Sequence, residues 1–362
     1  MGSIRRLTAV AGSATLVLGM AVGFSAATAS AAPKFKACIV TDTGGINDKS
    51  FNASAYQGAL DAQKADSNVK AQYLSSTSTA DYAPNINNFI GQKCGIIVTV
   101  GFLMDAATAK ASKAHPSQKF AIVDDAPAVN KSDKLLSLQY ETDQAGFLGG
   151  MLAAGMTKSG AVATYGGQQF PSVTLYMNGF VAGVRYYDKT YGAAVKALGW
   201  KPAAGACTLA KCDGSGTFVG NFTDQTAGKT DTTQFFADGA DIVFPVAGSV
   251  GLGSIAAAKQ AGAGHSVMWV DSNGCVSDKA DCSWFVGTVA KGVEPSVKAA
   301  ILSAAKGTFK AGTYVGTLKN SGTALEYGGV SVPAALKAKI AKAKAGVIAG
   351  TISVNPNKYP AS

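Results

Sequence analysis

Short apolar runs alternate with longer amphipathic stretches along almost the whole chain. The amphipathic stretches, such as "SFNASAYQGALDAQKA" and "TDQAGFLGGMLAAGMT", carry apolar residues at helical spacing. The apolar runs predict strands at 37–42, 69–74, 95–101, 119–124, 135–139, 161–166, 216–222, 240–246, 266–271 and 284–289. Because apolar strands separated by helices are typical of parallel sheets covered on both faces, the pattern predicts an α/β fold with doubly wound parallel sheets.

The length of this alternating region predicts two lobes. About 330 residues follow the first apolar segment, which is more than one hydrophobic core usually serves. The order of elements suggests a break near Tyr140–Asp143, with further crossings near Ser272 and after Thr308. We therefore expect a first lobe of residues 33–142 plus about 272–308, and a second lobe of residues 143–271 plus about 309–362.

The first 32 residues have the pattern of a secretory signal peptide. Arg5 and Arg6 precede an apolar stretch, and "ATASAA" then supplies small residues for cleavage after Ala31 or Ala32. Other apolar runs are shorter than the eighteen or so residues that span a bilayer. Cys38 lacks the preceding residues of a lipoprotein cleavage site. We therefore expect an exported protein, secreted or associated with a bacterial cell surface, with no direct membrane insertion after cleavage.

The basic charge does not indicate nucleic-acid binding. The formal net charge is +10, or +8 without Arg5 and Arg6, and Arg185 is the only other arginine. Proteins that read nucleic acids rely on arginine for bidentate contacts with bases and phosphates. Dispersed lysines favour a solvated surface instead, as on the C-terminal segment that contains Lys337 and Lys342.

The cysteines predict three disulfides and no metal site. Cys207 and Cys212 lie close together in one loop, as do Cys275 and Cys282 in another. Cys38 and Cys94 begin two apolar strands, whose starts adjoin if the strands are sheet neighbours. The spacings do not form the paired CxxC motifs of a zinc site, and we expect no cofactor.

Polar and aromatic residues follow several of the predicted strands. "CIVTD" ends in Asp42, "FAIVDD" in Asp124-Asp125 and "MWVD" in Asp271, while "TFVGNF" ends in Phe222 and "VFPVAG" in Gly248. Ligands of open parallel sheets bind beyond the carboxyl ends of the strands. A single aspartate there is often only a helix cap. Three of them favour a shared site.

Known catalytic motifs do not explain these residues. The turn "TDTGGIND" lacks the spacing of a phosphate-binding loop, and no G-x-S-x-G motif is present. Both histidines, His115 and His265, lie in predicted loops. A secreted glycosidase or nucleoside hydrolase that uses the aspartates stays open. A binding site fits better, because carboxylates accept hydrogen bonds from hydroxyl and ring N–H groups and aromatic rings stack on planar bases.

"VTDTGGINDKSFNASAYQGAL" resembles the opening signature of the basic membrane protein family, which reads V-T-D-x-G-G-x-N-D-K-S-F-N-x-x-x-x-x-G. Further matches follow in order, among them "VGFLMDAA", "FAIVDD", "YGGQQFPSVTLYMNGFVAGV" and "VDSNG". Members of this family are nucleoside-binding receptors of ABC importers. The resemblance covers residues 35 to 352 and implies the periplasmic binding protein type I fold, in which a hinge joins two lobes around a ligand cleft.

The resemblance implies a role for each candidate residue. Phe51 would stack on one face of a purine, and Phe222, with Phe170 as the alternative, on the other. Asp42 and Asp124 would read the edge of the base, with Asn47 nearby. The set that would hold the ribose is Gly248, Asp271 and Lys291.

These observations predict a non-enzymatic solute-binding protein that captures a nucleoside, expected to be a purine nucleoside, for an ABC importer permease. A receptor for a sugar or another small polar ligand, serving in sensing, is the alternative among binding proteins.

Overall fold

The computed structural model describes residues 35–205 and 207–360, so the expected signal peptide lies outside the described residues. The strands are β1 (Phe35–Val40), β2 (Val69–Leu74), β3 (Ile96–Val100), β4 (Phe120–Val123), β5 (Leu135–Tyr140), β6 (Ala161–Gly166), β7 (Lys196–Leu198), β8 (Trp200–Pro202), β9 (Gly214–Gly216), β10 (Ile242–Val246), β11 (Ser266–Asp271), β12 (Phe285–Lys291), β13 (Gly312–Gly316) and β14 (Thr323–Tyr327). The helices are α1 (Phe51–Ala65), α2 (Tyr82–Gly91), α3 (Asp105–Ala114), α4 (Thr142–Met156), α5 (Pro171–Tyr191), α6 (Gln225–Ala237), α7 (Gly251–Ala261), α8 (Gly274–Ser277), α9 (Val293–Ala305) and α10 (Ala334–Ile348).

The first lobe is built on a six-stranded parallel sheet of order β13-β5-β4-β3-β1-β2. Every residue of β3 and β4 is buried. One face of the sheet packs against α1 and α9, and the other against α2 and α3. The uninterrupted apolar runs of the sequence therefore correspond to strands that are covered on both faces, as predicted.

The second lobe is built on a six-stranded sheet of order β14-β12-β11-β10-β6-β7, in which only the edge strand β14 is antiparallel to its neighbour. Helices α4 and α5 pack in close contact beneath it, which glycines allow. A Cβ on Gly150 would meet the carbonyl of Phe180, and a Cβ on Gly183 would meet the carbonyl of Phe147. Helix α10 lies on α4 through buried Leu336 and Ile340, and its lysines face outward apart from the half-buried Lys339.

The predicted α/β architecture of two lobes is confirmed, but the sheets divide the C-terminal part of the chain differently from our expectation. Strand β12 pairs with β11 in the second sheet, and β13 pairs with β5 in the first. The segment that returns to the first lobe thus contains α9 and β13, rather than residues 272–308. The predicted strand at 216–222 is wrong, since only β9 and a single bridge from Phe218 to Gly166 form there.

All three predicted disulfides are present: Cys38–Cys94, Cys207–Cys212 and Cys275–Cys282. Cys38 and Cys94 are 6.1 Å apart at their Cα atoms, because β1 and β3 are direct neighbours in the first sheet. Among the described residues, no helix is both long enough and apolar enough to cross a bilayer.

Candidate functional site

A cleft of about 560 Å³, counting the space open to solvent, lies between the two lobes at the carboxyl ends of their strands. The ligand residues predicted from the sequence line it with one exception: Asp42, Phe51, Asp124, Phe222, Gly248, Asp271 and Lys291. The three strand-end aspartates therefore line one cleft.

Asn47 is the exception. Its side chain is exposed and lines a neighbouring groove together with Lys49 and Asn273, rather than the cleft. The amide at the cleft belongs instead to Asn52, which is 1% exposed. Helix α1 begins at Phe51, so Asn52 lies in its first turn, where Asp48 accepts the backbone N–H groups of Ser50, Asn52 and Ala53 at 3.0, 2.7 and 3.0 Å.

The carboxylate of Asp42 is held by the turn that follows β1. Its Oδ1 accepts the N–H of Gly44 at 2.9 Å and Nδ2 of Asn52 at 2.8 Å. Oδ2 lies against the backbone of Gly101, where a Cβ would be 2.6 Å away. Burial raises the pKa of Asp42, whereas the hydrogen bonds from Asn52 and Gly44 lower it.

A buried lysine joins the other two aspartates across the cleft. Lys291, at the end of β12 in the second lobe, donates to Oδ2 of Asp124 in the first lobe at 2.6 Å. Its Nζ is also 3.3 Å from Oδ1 of Asp271, which accepts the hydroxyl of Tyr176 at 2.8 Å. The Lys291 side chain is 4% exposed, so this network is almost fully desolvated.

Burial and charge pairing change the pKa values in this network. Burial raises the pKa of Asp124 to about 6, although Lys291 acts in the opposite direction. Burial lowers the pKa of Lys291, but Asp124 and Asp271 more than offset this effect and raise it above its usual value. Lys291 is therefore a cation at neutral pH in the lining of the cleft.

Asp124 and Asp271 both have left-handed backbone conformations, with φ of 69° and 64°. Such conformations are uncommon outside glycine and most tolerated by aspartate and asparagine. Each lies where a buried strand ends, and its carboxylate lines the cleft.

Aromatic rings from both lobes line the same cleft. Phe51 comes from α1 in the first lobe, with Nζ of Lys291 4.8 Å from its ring centroid. Phe222 comes from the second lobe and packs on the backbone of Gly167, where a Cβ would clash with its ring. Phe170 also lines the cleft, but its ring stacks on Phe102 at 4.8 Å between centroids.

The sequence reasoning did not single out Asn52, Phe102 or Tyr176. Phe102 follows the end of β3 in "VGFLMD". It could therefore have been predicted in the same way as Asp42, from its position at the end of a strand. Tyr176 lies within α5 and looks like an ordinary core aromatic. In the structure it lines the cleft, and its hydroxyl contacts Asp271.

Further hydrogen bonds join the lobes beside the cleft. Oγ of Ser50 donates to the carbonyl of Val270, and lies 3.0 Å from Oδ2 of Asp271. The carbonyl of Lys49 accepts Nε1 of Trp269 at 3.3 Å and Oγ of Ser272 at 2.8 Å. Within the described part of the chain, no group of three or more His, Cys, Asp or Glu residues is placed to hold a metal ion.

Comparison with known proteins identifies the family. The profile described as "Bmp: ABC transporter substrate-binding protein PnrA-like" matches residues 35–205 and 216–338. The chain is 29% identical over 340 residues to the ABC transporter nucleoside-binding protein BmpA of Lactococcus lactis subsp. cremoris (strain MG1363), which covers 89% of each protein. It is also 29% identical over 229 residues to the CD4+ T-cell-stimulating antigen of Listeria monocytogenes, covering 62% of this chain and 58% of that protein.

Solved structures support the fold. An ABC transporter system solute-binding protein from Aeropyrum pernix K1 superposes with a TM-score of 0.75 at 23% identity, covering 88% of this chain and 92% of that one. A second such protein, from Conexibacter woesei DSM 14684, gives a TM-score of 0.63 at 20% identity, covering 90% and 100%. The family profile covers most of the two lobes, and the chain therefore belongs to the Bmp family of ABC transporter substrate-binding proteins.

Proposed function

We propose that the protein captures a purine nucleoside between its lobes and presents it to an ABC importer permease. The observation that carries this proposal is the combination of Phe51 and Phe222, from opposite lobes, with buried carboxylates in one cleft. Two aromatic faces suit a planar base, and carboxylates suit its N–H groups and the sugar hydroxyls. The nucleoside-binding relative from Lactococcus lactis supports the same ligand class.

The base would lie between Phe51 and Phe222, with its edge towards Asp42 and Asp124. The free Oδ2 of Asp42 suits this role, because Oδ1 is already used by Gly44 and Asn52. Asn47 has no part in this proposal, since it lies outside the cleft.

The ribose would lie beside Lys291 and Asp271. Lys291 has three ammonium hydrogens, of which two point to Asp124 and Asp271, so one is left for a ribose oxygen. Oδ1 of Asp271 accepts the hydroxyl of Tyr176, and Oδ2 lies 3.0 Å from Oγ of Ser50, so the remaining lone pairs suit the ribose hydroxyls. Gly248 has φ of 56° and gives the ligand close access to the backbone.

Capture for import requires a protein outside the cytoplasmic membrane. The proposed signal segment would export the chain, and the family supplies substrate to ABC transporters. We propose that the mature protein is secreted or surface-associated in a bacterium. Cell fractionation of the source organism with an antibody to the mature chain tests this placement.

The ligand is tested by incubating the purified protein with inosine, adenosine or guanosine, and with ribose and the free bases. We expect nucleosides to raise the melting temperature, because a ligand that binds only the folded state stabilises it by mass action. Chromatography of the same mixtures should recover the nucleoside unchanged. Release of free base would indicate a hydrolase, and stabilisation by sugars alone would indicate a sugar receptor; either result contradicts the proposal.

A further inference from the structure

Helix α10 presents a cationic surface on the second lobe. Residues 327–362 contain five lysines and no aspartate or glutamate. Four of the lysines lie on α10: Lys337, Lys339, Lys342 and Lys344. The salt bridges of the described chain involve lysines elsewhere, and Asp188 on the neighbouring α5 accepts the backbone N–H of Val195. Within the described residues, no carboxylate therefore pairs with a lysine of α10.

Tyrosine rings hold two of these lysines in place. Nζ of Lys339 lies 4.0 Å from the ring centroid of Tyr191 and 5.2 Å from that of Tyr187. Nζ of Lys337 lies 4.8 Å from the ring centroid of Tyr327. A cation over an aromatic face is attracted to the ring and keeps its charge. These contacts thus position the ammonium groups without neutralising them.

The lysines flank a strip of small side chains. Lys337 and Lys344 are almost two helical turns apart, so they lie on the same side of the exposed face of α10. Lys342 is about 140° around the helix from Lys337, at 3.6 residues per turn. The exposed residues between the two sides are Ala338, Ala341 and Ala345. Cations on both sides of such a strip suit an extended anionic chain that lies along the helix.

This surface is far from the ligand cleft. Helix α5 connects the two, because Tyr176 near its start lines the cleft and Tyr191 at its end contacts Lys339. The two tyrosines are about 22 Å apart along the helix, at 1.5 Å per residue. A partner bound to α10 therefore leaves the cleft open to its ligand.

A lipid bilayer fits this surface less well than a polymer does. Helices that lie on membranes insert large apolar side chains below the head groups. The large apolar residues Leu336 and Ile340 of α10 are instead buried in the contact with α4. Attachment to a bilayer through α10 would also turn the cleft away from a permease in that bilayer, an argument that rests on the proposed function.

We propose that α10 is a docking surface for an anionic polymer of the cell envelope, whose repeating phosphate groups pair with the four lysines. Lysine binds phosphate as a point charge and needs no fixed geometry, which suits a flexible polymer. The contact retains the exported protein at the cell surface and leaves its cleft free. The proximity of these lysines in the sequence indicated only a solvated helix face; the fold adds the tyrosines, the unneutralised charge and the distance from the cleft.

Fluorescence anisotropy of end-labelled inorganic polyphosphate, titrated with the purified protein at 50 and 200 mM NaCl, tests the proposal. Four lysine–phosphate contacts release counterions, so the affinity should fall about fiftyfold between the two salt concentrations. The triple variant Lys337→Gln, Lys342→Gln and Lys344→Gln keeps one of the four lysines. It should bind at least about tenfold more weakly at 50 mM NaCl and lose only about threefold between the two concentrations.

The matched control is the triple variant Lys110→Gln, Lys113→Gln and Lys131→Gln, which removes the same charge from exposed positions of the first lobe. It should change polyphosphate affinity by about twofold at most. Equal losses in the two triple variants would mean that the overall charge attracts the polymer, and would overturn the proposal. No binding to polyphosphate, or tighter binding to phosphatidylglycerol vesicles than to polyphosphate, would also overturn it.

Nucleoside affinity separates this inference from the proposed function. Guanosine or inosine should bind equally to the unmodified protein and to the α10 triple variant, because α10 is far from the cleft. Competition between polyphosphate and nucleoside would place the polymer in the cleft and overturn the inference. Failure of both proteins to bind any nucleoside would overturn the proposed function, and the polyphosphate titrations would still decide the inference.

Discussion

Phe51 is the residue on which the base-stacking hypothesis depends most directly. Its ring is partly buried, lines the cleft, and has the ammonium of Lys291 near its face. Phe51→Ala should weaken nucleoside affinity by about 1–3 kcal/mol, the usual contribution of one aromatic ring stacked on a base. Titration calorimetry with guanosine or inosine measures the change.

Tyr56→Ala is the matched control for Phe51. Tyr56 lies on the same helix, and its ring packs against Tyr73 at 4.6 Å rather than lining the cleft. It should cost some stability and leave affinity unchanged. Equal losses of affinity in both variants would mean that helix α1 was perturbed and that Phe51 does not stack on the ligand.

Lys291 also stabilises the folded protein, and the pH dependence of stability tests this role separately from ligand binding. Lys291→Met leaves Asp124 and Asp271 buried without their cation, so the free energy of unfolding should fall by about 3–5 kcal/mol at pH 7.5. The pKa of Asp124 is already raised to about 6, and loss of the cation raises it further. Asp124 then binds a proton as the pH falls towards 5, which removes the unpaired charge and makes the loss smaller.

Urea unfolding of both proteins at pH 5 and pH 7.5 measures this difference. Lys259→Met is the control, because Lys259 is half exposed and pairs with Asp281 within the second lobe. It should change stability by less than about 1 kcal/mol at either pH. A Lys291→Met loss that grows as the pH falls would contradict the assignment of the charges.

At the scale of elements, the sequence predicted the helices and the buried strands well because hydrophobic periodicity reports burial directly. It failed where burial is partial. Strands β13 and β14 are sheet edges with half-exposed residues, and their short patterns were not recognised. The predicted strand at 216–222 has β-branched residues, but Gly220 has φ of 89° and cannot continue a ladder.

The sequence also did not predict which of the two sheets each strand joins. Strand β12 is almost fully buried, like β3 and β4 of the first sheet, so its burial does not tell which sheet it joins. In the site, too, some residues could be predicted from the sequence and others could not. The ends of predicted strands identified Asp42, Asp124 and Asp271. The choice between Asn47 and Asn52 depends on the residue at which α1 begins, and the start of a helix is hard to position from sequence.

The loop that follows β11 in the second lobe contacts the turn before α1 in the first lobe. Nζ of Lys49 in the first lobe lies 2.9 Å from Oδ1 of Asp278, which is buried beside the Cys275–Cys282 disulfide. The pair joins the two lobes, so we expect opening of the cleft to break it. Lys49→Met should therefore increase the rate of nucleoside dissociation about fivefold, corresponding to about 1 kcal/mol for one partly exposed ion pair.

Stopped-flow tryptophan fluorescence measures that rate, since Trp269 donates to the carbonyl of Lys49 at this contact. Lys259→Met again serves as the control, because its partner Asp281 lies in the same disulfide loop but the pair does not join the lobes. The same acceleration in both variants would assign the effect to the loop as a whole instead of to closure.

At the scale of the molecule, the described part of the chain passes between the lobes three times: after β5, after β12 and after β13. The two largest hydrophobic clusters of the described residues each lie within one lobe, so ligand contacts and interlobe hydrogen bonds set how the lobes close. The lobes are also stabilised differently. The second has the close contact of α4 and α5, and the first has a disulfide that spans 56 residues of chain.

This difference predicts unequal effects of the disulfides on stability. Removing Cys38–Cys94 with the double substitution Cys38→Ala and Cys94→Ala should lower the free energy of unfolding by about 4 kcal/mol, because it frees a long loop in the unfolded chain. Removing Cys207–Cys212, which are 5 residues apart, should cost about 2 kcal/mol. Chemical denaturation of the two double variants under identical conditions compares them.

The longer disulfide should affect stability without affecting the site. Strand β1 is still paired on both sides, with β2 and β3, when Cys38 is replaced, so Asp42 keeps its position at the end of the strand. Nucleoside affinity at 25 °C should therefore change less than twofold in the Cys38→Ala and Cys94→Ala double variant. A large loss of affinity together with normal secondary structure would show that the disulfide, rather than the sheet, positions the carboxylate that we propose reads the base.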